Sequence, residues 1–168
     1  MKGHMGKGIF GIGLAATVFA SQAAHGAIKA PRLDSINVSI VRTQQGRLLV
    51  GTTDGGLAVY DAFTKKPILW SKGQPGRAKT LDAVWEGGQA WWITEDGKNL
   101  YCSTPSASKP TSTYTAALGL NQPATRLGMW QNQVTLHSFY ETRFVDPYSR
   151  KAKSIDQALP SSVAQIAS

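Results

Sequence analysis

The strongest constraint on the fold is a pattern of short apolar runs that returns every 41 to 45 residues. The stretch LLVGTTDGGLAVYDAFTKKPILW (48–70) holds three such runs, parted by a Thr-Asp-Gly-Gly corner and a Thr-Lys-Lys-Pro turn. Between 81 and 103 the series LDAVW, EGGQ, AWWIT, EDGK and NLYCS repeats it. From 125, TRLGMW, QNQ, VTLHSFY, ETR and FVDPYSRK repeat it more loosely. Asp54-Gly55 and Asp96-Gly97 are 42 residues apart, and Trp85 and Trp130 are 45 apart. Val59-Tyr60-Asp61, Leu100-Tyr101 and Phe144-Val145-Asp146 occupy the equivalent run. Short alternating runs bounded by Gly, Asp and Pro read as β-strands with tight turns. Asp-Gly suits a turn because both residues tolerate positive φ. Pro67 lacks the N–H that a ladder position would use, so it belongs at a turn or strand start. A period of this length holding several strands is the size of one propeller blade.

The expected fold is therefore all-β: a partial β-propeller of about three four-stranded antiparallel blade-like units, near 36–75, 78–120 and 122–160. A β-sandwich or barrel with evenly spaced strands is the alternative. Ile36–Arg42 is the expected first strand, STPSASKPTST a polar link, and the tail from Ser154 one short strand or a turn of helix. A propeller closes with at least ~4 blades, which leaves no blade edge bare. Three units expose edges that invite pairing, which predicts a homo-oligomer or incorporation in a larger extracytoplasmic complex.

Residues 1–23 form a different segment. MKGHMGKG carries Lys2 and Lys7, Ile9–Ala20 is apolar, and SQAAHG is small and polar. That is the pattern of an export signal, with cleavage after Ala20 or Ala23. Its apolar run falls short of the ~20 residues that span a bilayer. A β-repeat domain of 24–168 in the periplasm or secreted is the expectation. An uncleaved N-terminal segment that ties the chain to a membrane is the alternative. Cys102 is the single cysteine, so no internal disulfide forms and the core or partners must hold the chain. The formal charge of +8 is scattered, with local clusters only at Lys65-Lys66 and Arg150-Lys151-Ala152-Lys153. Such a balance permits an anionic partner and selects none. Export sets nucleic acid aside as that partner.

The stretch 48–72 resembles the repeat of quinoprotein-like (PQQ-type) β-propellers, matching it at Val50, Gly51, Thr52, Asp54, Gly55, Leu57, Asp61, Thr64, Lys65 and Trp70. Lys65-Lys66 departs from it where that family prefers glycine in the turn. The second pass keeps Thr94, Asp96, Gly97, Leu100 and Tyr101, and the third keeps Asp146 with the aromatic pattern. For enzymes of that family the resemblance implies a quinone, calcium, a neighbouring-cysteine pair and an Asp base. The lone Cys102 cannot supply the pair, so no cofactor is expected.

Other chemistry is sparse. Asp61 and Asp146 suit turn closure, because Asp accepts local N–H bonds. His4 and His25 lie in or beside the leader, and His137 stands alone in VTLHSFY, without the three or four convergent ligands a zinc site needs. No phosphate-binding loop or dinucleotide fingerprint occurs. Trp91-Trp92 are adjacent, so in a strand they face opposite ways. One fills the core, and the other is expected at a surface or under a partner. The candidate interface residues are Trp91, Trp92, Trp85, Trp130, Arg126 and Arg143. The expected function is an extracytoplasmic, non-enzymatic binding or scaffold protein acting through protein–protein contacts within an assembly. One alternative is a subunit of an enzyme whose site, with His137, Asp146 and Arg143, is completed by another chain. The other is a carbohydrate- or peptide-binding β module that stacks ligands on tryptophan.

Overall fold

The computed structural model describes residues 30–158; the leader, its cleavage points and both ends of the 24–168 domain lie outside them. Twelve strands form three four-stranded antiparallel sheets. The first is β1 (Val38–Gln44), β2 (Arg47–Thr52), β3 (Leu57–Asp61) and β4 (Pro67–Ser71), in chain order. The second is β5 (Thr80–Glu86), β6 (Gln89–Thr94), β7 (Asn99–Ser103) and β8 (Thr111–Tyr114). The third is β9 (Arg126–Trp130), β10 (Gln133–His137), β11 (Thr142–Val145) and β12 (Ala152–Lys153). The all-β expectation holds: the arrangement is propeller-like and unclosed.

Two local expectations need correction. The first strand starts at Val38, not Ile36, and runs on to Gln44. The Leu33–Ser35 3-10 turn precedes it and tucks Ile36 under the first sheet. The link STPSASKPTST is not all connection, because Thr111–Tyr114 pairs with β7 as the fourth strand of its blade. Its side chains are polar and mostly exposed, so no apolar alternation marked it. Of the tail from Ser154, Ile155–Ala158 forms a helical turn, one of the two forms expected.

The innermost strands β1, β5 and β9 run side by side in the same direction. Ser39 Oγ donates to Thr80 O at 2.8 Å, Arg42 Nη1 to Asp82 Oδ1 at 3.1 Å, and Gln44 Nε2 to Trp85 O at 2.9 Å. The Leu127 N–H donates to Asp82 Oδ2 at 2.8 Å, and so joins β9 to the same carboxylate.

Period-two alternation in the middle sheet builds two cores at once. Ala83, Trp85, Ala90, Trp92 and Tyr101 face Leu49, Leu57, Val59 and Leu69 of the first blade. Val84, Trp91, Ile93, Leu100 and Cys102 face Leu127, Val134, Leu136 and Val145 of the third. The outer face of the first blade, Val50, Ala58 and Tyr60, is covered by Ala30, Leu33 and Ile36, and the Tyr60 hydroxyl donates to Pro31 O at 2.7 Å. The chain thus caps its own first blade.

Candidate functional site

Among the described residues, no such cover lies on the third blade. Its strands turn Leu127, Met129, Val134, Leu136 and Val145 inward. By alternation Arg126, Gly128, Trp130, Thr135, His137, Thr142 and Phe144 point the other way. These seven, with Arg42 and Ile155 at the rim, line an open hollow of about 720 Å³. Trp130 packs edge-on against Phe144, ring centroids 5.3 Å apart at 68°. This is a favoured aromatic geometry. His137 sits between two hydroxyls, Nε2 2.9 Å from Thr135 Oγ1 and Nδ1 2.9 Å from Thr142 Oγ1. Gly128 makes room for that arrangement, since a Cβ there would lie 2.6 Å from Thr135 Oγ1. Burial, and then the charge of Arg126, lower the His137 pKa, with Asp82 opposing them more weakly. The ring is therefore neutral at pH 7, and its tautomer is set by which threonine hydroxyl donates. Arg126 supplies an exposed cation, Arg42 at the rim is paired with Asp82, and no Asp or Glu lines the hollow. The face offers an apolar aromatic pair, one exposed cation and hydroxyls hydrogen-bonded to His137, and no carboxylate of the hollow orients the His137 ring, both of whose nitrogens are taken up by threonine hydroxyls.

The structure brings two of the candidate residues, Arg126 and Trp130, together here and places the others elsewhere. Trp91 and Trp92 are 2% and 0% exposed. The second of this pair is covered by a neighbouring blade of the same chain, not by a partner or solvent. Only the presence of a blade on each side of β6 makes this possible. Trp85 is buried between the first two blades with the Arg47 guanidinium 5.7 Å from its ring. Arg143 donates from Nε and Nη2 to Gly119 O at 3.0 and 2.7 Å, away from the open face. Asp146 caps the turn after β11, so His137, Asp146 and Arg143 do not converge. Phe144, Thr135 and Thr142 join the site unforeseen. The signal was the alternate, non-core positions of the third repeat, which carry aromatic and hydroxyl groups.

The residues present do not fit the quinone and calcium that the repeat resemblance implies. Asp61 and Asp146 spend an oxygen each on turn amides, and among the described residues no group of three or more His, Cys, Asp and Glu could hold a metal. Cys102 packs as a small apolar side chain between the second and third blades. Its Sγ lies 2.8 Å from Gln89 Oε1, and burial pushes its pKa up to about 11. Alkylation at pH 8 is expected to fail on the native protein and to label one thiol once urea unfolds it. Labelling of the native protein at the rate of a free thiol would contradict this core.

No protein-family model and no curated protein matches the chain. Similarity appears with solved structures, at the level of fold. The computationally designed Ika8 protein superposes with a TM-score of 0.53 at 12% identity, covering 68% of this chain and 35% of that one. The Cps50 (Swd1) β-propeller domain of Myceliophteria thermophila superposes at 0.53 with 15% identity, covering 79% and 42%. The chain therefore spans well under half of either structure.

Proposed function

We propose that this chain is an extracytoplasmic, non-enzymatic scaffold, a section of propeller that docks an acidic, apolar-anchored polypeptide surface on the open face of its third blade. The observation that carries this reading is the asymmetry of the two terminal blades. One outer face is covered by residues 30–36, while among the described residues the other is left open beside the half-buried Trp130, with Phe144, 6% exposed, at its floor. Apolar side chains on an unpartnered sheet face mark an interaction surface. The exposed Arg126 on this face selects carboxylates on the occupant, whereas Arg42 already has Asp82. A second copy docked through the same face would set two Arg126 side chains against each other, so charge favours a different chain. The leader supports export, and the quinoprotein-type repeat serves here as a building unit without its cofactor chemistry.

The test is a photo-crosslinking residue at Thr142 in the full chain, expressed in its native compartment. The expected product is one adduct with a different protein whose cross-linked peptide is rich in Asp or Glu. Arg126→Glu combined with Trp130→Ser is expected to lower its yield about tenfold or more. An adduct of two copies of this chain, or none at all, would overturn the reading.

A further inference from the structure

One end of the molecule carries a second surface, independent of the open blade face. Because β1, β5 and β9 run in the same direction, the β1–β2, β5–β6 and β9–β10 turns lie together at this end. The β3–β4, β7–β8 and β11–β12 connections join them there. Contacts between blades bear this out: Gln89 Nε2, just after the β5–β6 turn, donates to Pro147 O of the β11–β12 connection at 2.9 Å.

Two of these connections are one turn built twice. Asp61-Ala62-Phe63-Thr64-Lys65-Lys66 and Asp146-Pro147-Tyr148-Ser149-Arg150-Lys151 share an acid, an aromatic, a hydroxyl and two cations at a spacing of 85 residues. Asp61 Oδ1 accepts from the Phe63 and Thr64 N–H groups at 3.0 and 2.8 Å. Asp146 Oδ1 accepts from those of Tyr148 and Ser149 at 3.0 and 2.6 Å. Lys65 and Arg150 both take left-handed backbone, with φ of 58° and 57°. The shared geometry sends the aromatic outward in both cases, leaving Phe63 86% and Tyr148 78% exposed. Around them Lys65, Lys66, Lys109, Arg150 and Lys151 are all exposed. Asp61, Glu86 and Asp146 at this end are turned back onto backbone N–H groups, and Asp34, which shares a hollow with Lys65, is paired with Arg32 at 2.9 Å.

We infer that this end of the molecule binds an anionic lipid surface, with Phe63 and Tyr148 entering the headgroup layer and the flanking lysines and arginines held against lipid phosphates. Aromatic side chains settle at the bilayer interface, and basic clusters beside them are drawn to anionic leaflets. The two aromatics stand on turn tips of separate blades, so a flat surface meets both at once. A narrow peptide or a single nucleic-acid strand in a groove would engage one.

The experiment places an environment-sensitive fluorophore at Phe63→Cys in the full-length protein. Cys102 is buried, so the new thiol alone is labelled. A second protein carries the label at Gln74→Cys, exposed in the β4–β5 connection at the opposite end. With vesicles containing about 30% anionic lipid, emission at 63 is expected to shift to the blue, while emission at 74 stays unchanged. Neutral vesicles leave both unchanged. Lys65→Glu with Lys66→Glu is expected to lower the vesicle-bound fraction about tenfold or more, as is ~0.5 M salt. Phe63→Ser with Tyr148→Ser lowers it as well, without changing the thermal unfolding midpoint. An equal response at 63 and 74 would mean tethering through another segment and would overturn the inference. So would no response to either vesicle, or a response to acidic protein or nucleic acid in place of vesicles.

Discussion

Trp92→Ala is expected to remove about 3–5 kcal/mol of folding stability, the range for deleting a large buried aromatic side chain. Trp92 is fully buried where the first two blades meet, stacked on Tyr101 at 5.4 Å and 19°. Its indole N–H donates to Gly55 O at 3.2 Å, tying the middle blade to the Asp54-Gly55 turn of the first. The substitution opens a cavity lined by residues of both blades and leaves that carbonyl without its donor. Neighbouring strands cannot close the gap, because their ladders fix the spacing between them. Trp92→Phe keeps most of the ring and loses the donor, so its cost is expected near 1–2 kcal/mol. Urea unfolding of the three proteins side by side reads both values. A Trp92→Ala loss below about 1 kcal/mol would show that the first and second blades do not pack as described.

Asp82→Ala is the second large effect, with an expected loss of about 2–4 kcal/mol. One carboxylate joins all three inner strands: Oδ1 accepts from Arg42 of β1 at 3.1 Å and from the Ala83 N–H at 2.8 Å, and Oδ2 accepts from the Leu127 N–H of β9 at 2.8 Å. The side chain of Asp82 is 18% exposed and that of Arg42 is 37%, so the ion pair is partly screened. The larger part of the loss comes from stranding the Leu127 N–H, and the smaller from an unpaired Arg42. Asp82→Asn keeps one acceptor and is expected to lose about half as much. Thermal unfolding across a salt series separates the contributions, because salt weakens the ion pair and leaves the Leu127 hydrogen bond in place. An Asp82→Ala protein as stable as the parent would remove this carboxylate from any role in holding the inner strands together.

Much of the architecture is written locally. Thr52 and Asp54 bond to each other through their side chains, and Thr94 Oγ1 donates to Asp96 Oδ1 at 2.8 Å, so the two Asp-Gly corners are the same turn. Their recurrence in the sequence marks the blade period because a turn depends on a few adjacent residues. Asp61 and Asp146 close their turns as their position suggested. The preference of the repeat for glycine after Thr64 also has its reason here. Lys65 holds positive φ, which glycine adopts without strain. Less of the candidate site was legible. Arg126 and Trp130 were singled out by residue type and His137 as a lone polar group, whereas Phe144, Thr135 and Thr142 became site residues only once the outer face of the third sheet was seen open among the described residues.

What the sequence determined by itself is the strand periodicity, the turn chemistry and the number of blades. Each is set by residues within one period of one another. What only the tertiary structure decided is which faces are covered. Trp91 and Trp92 have the same local pattern as a half-exposed strand, yet both are buried because a blade packs on each side. The Ala30–Ile36 segment has no strand pattern, yet it covers the outer face of the first blade. Among the described residues the hollow beside Trp130 has no such cover. Burial of a sheet face depends on what the remainder of the chain places against it, and that lies beyond the reach of any local alternation of apolar and polar residues.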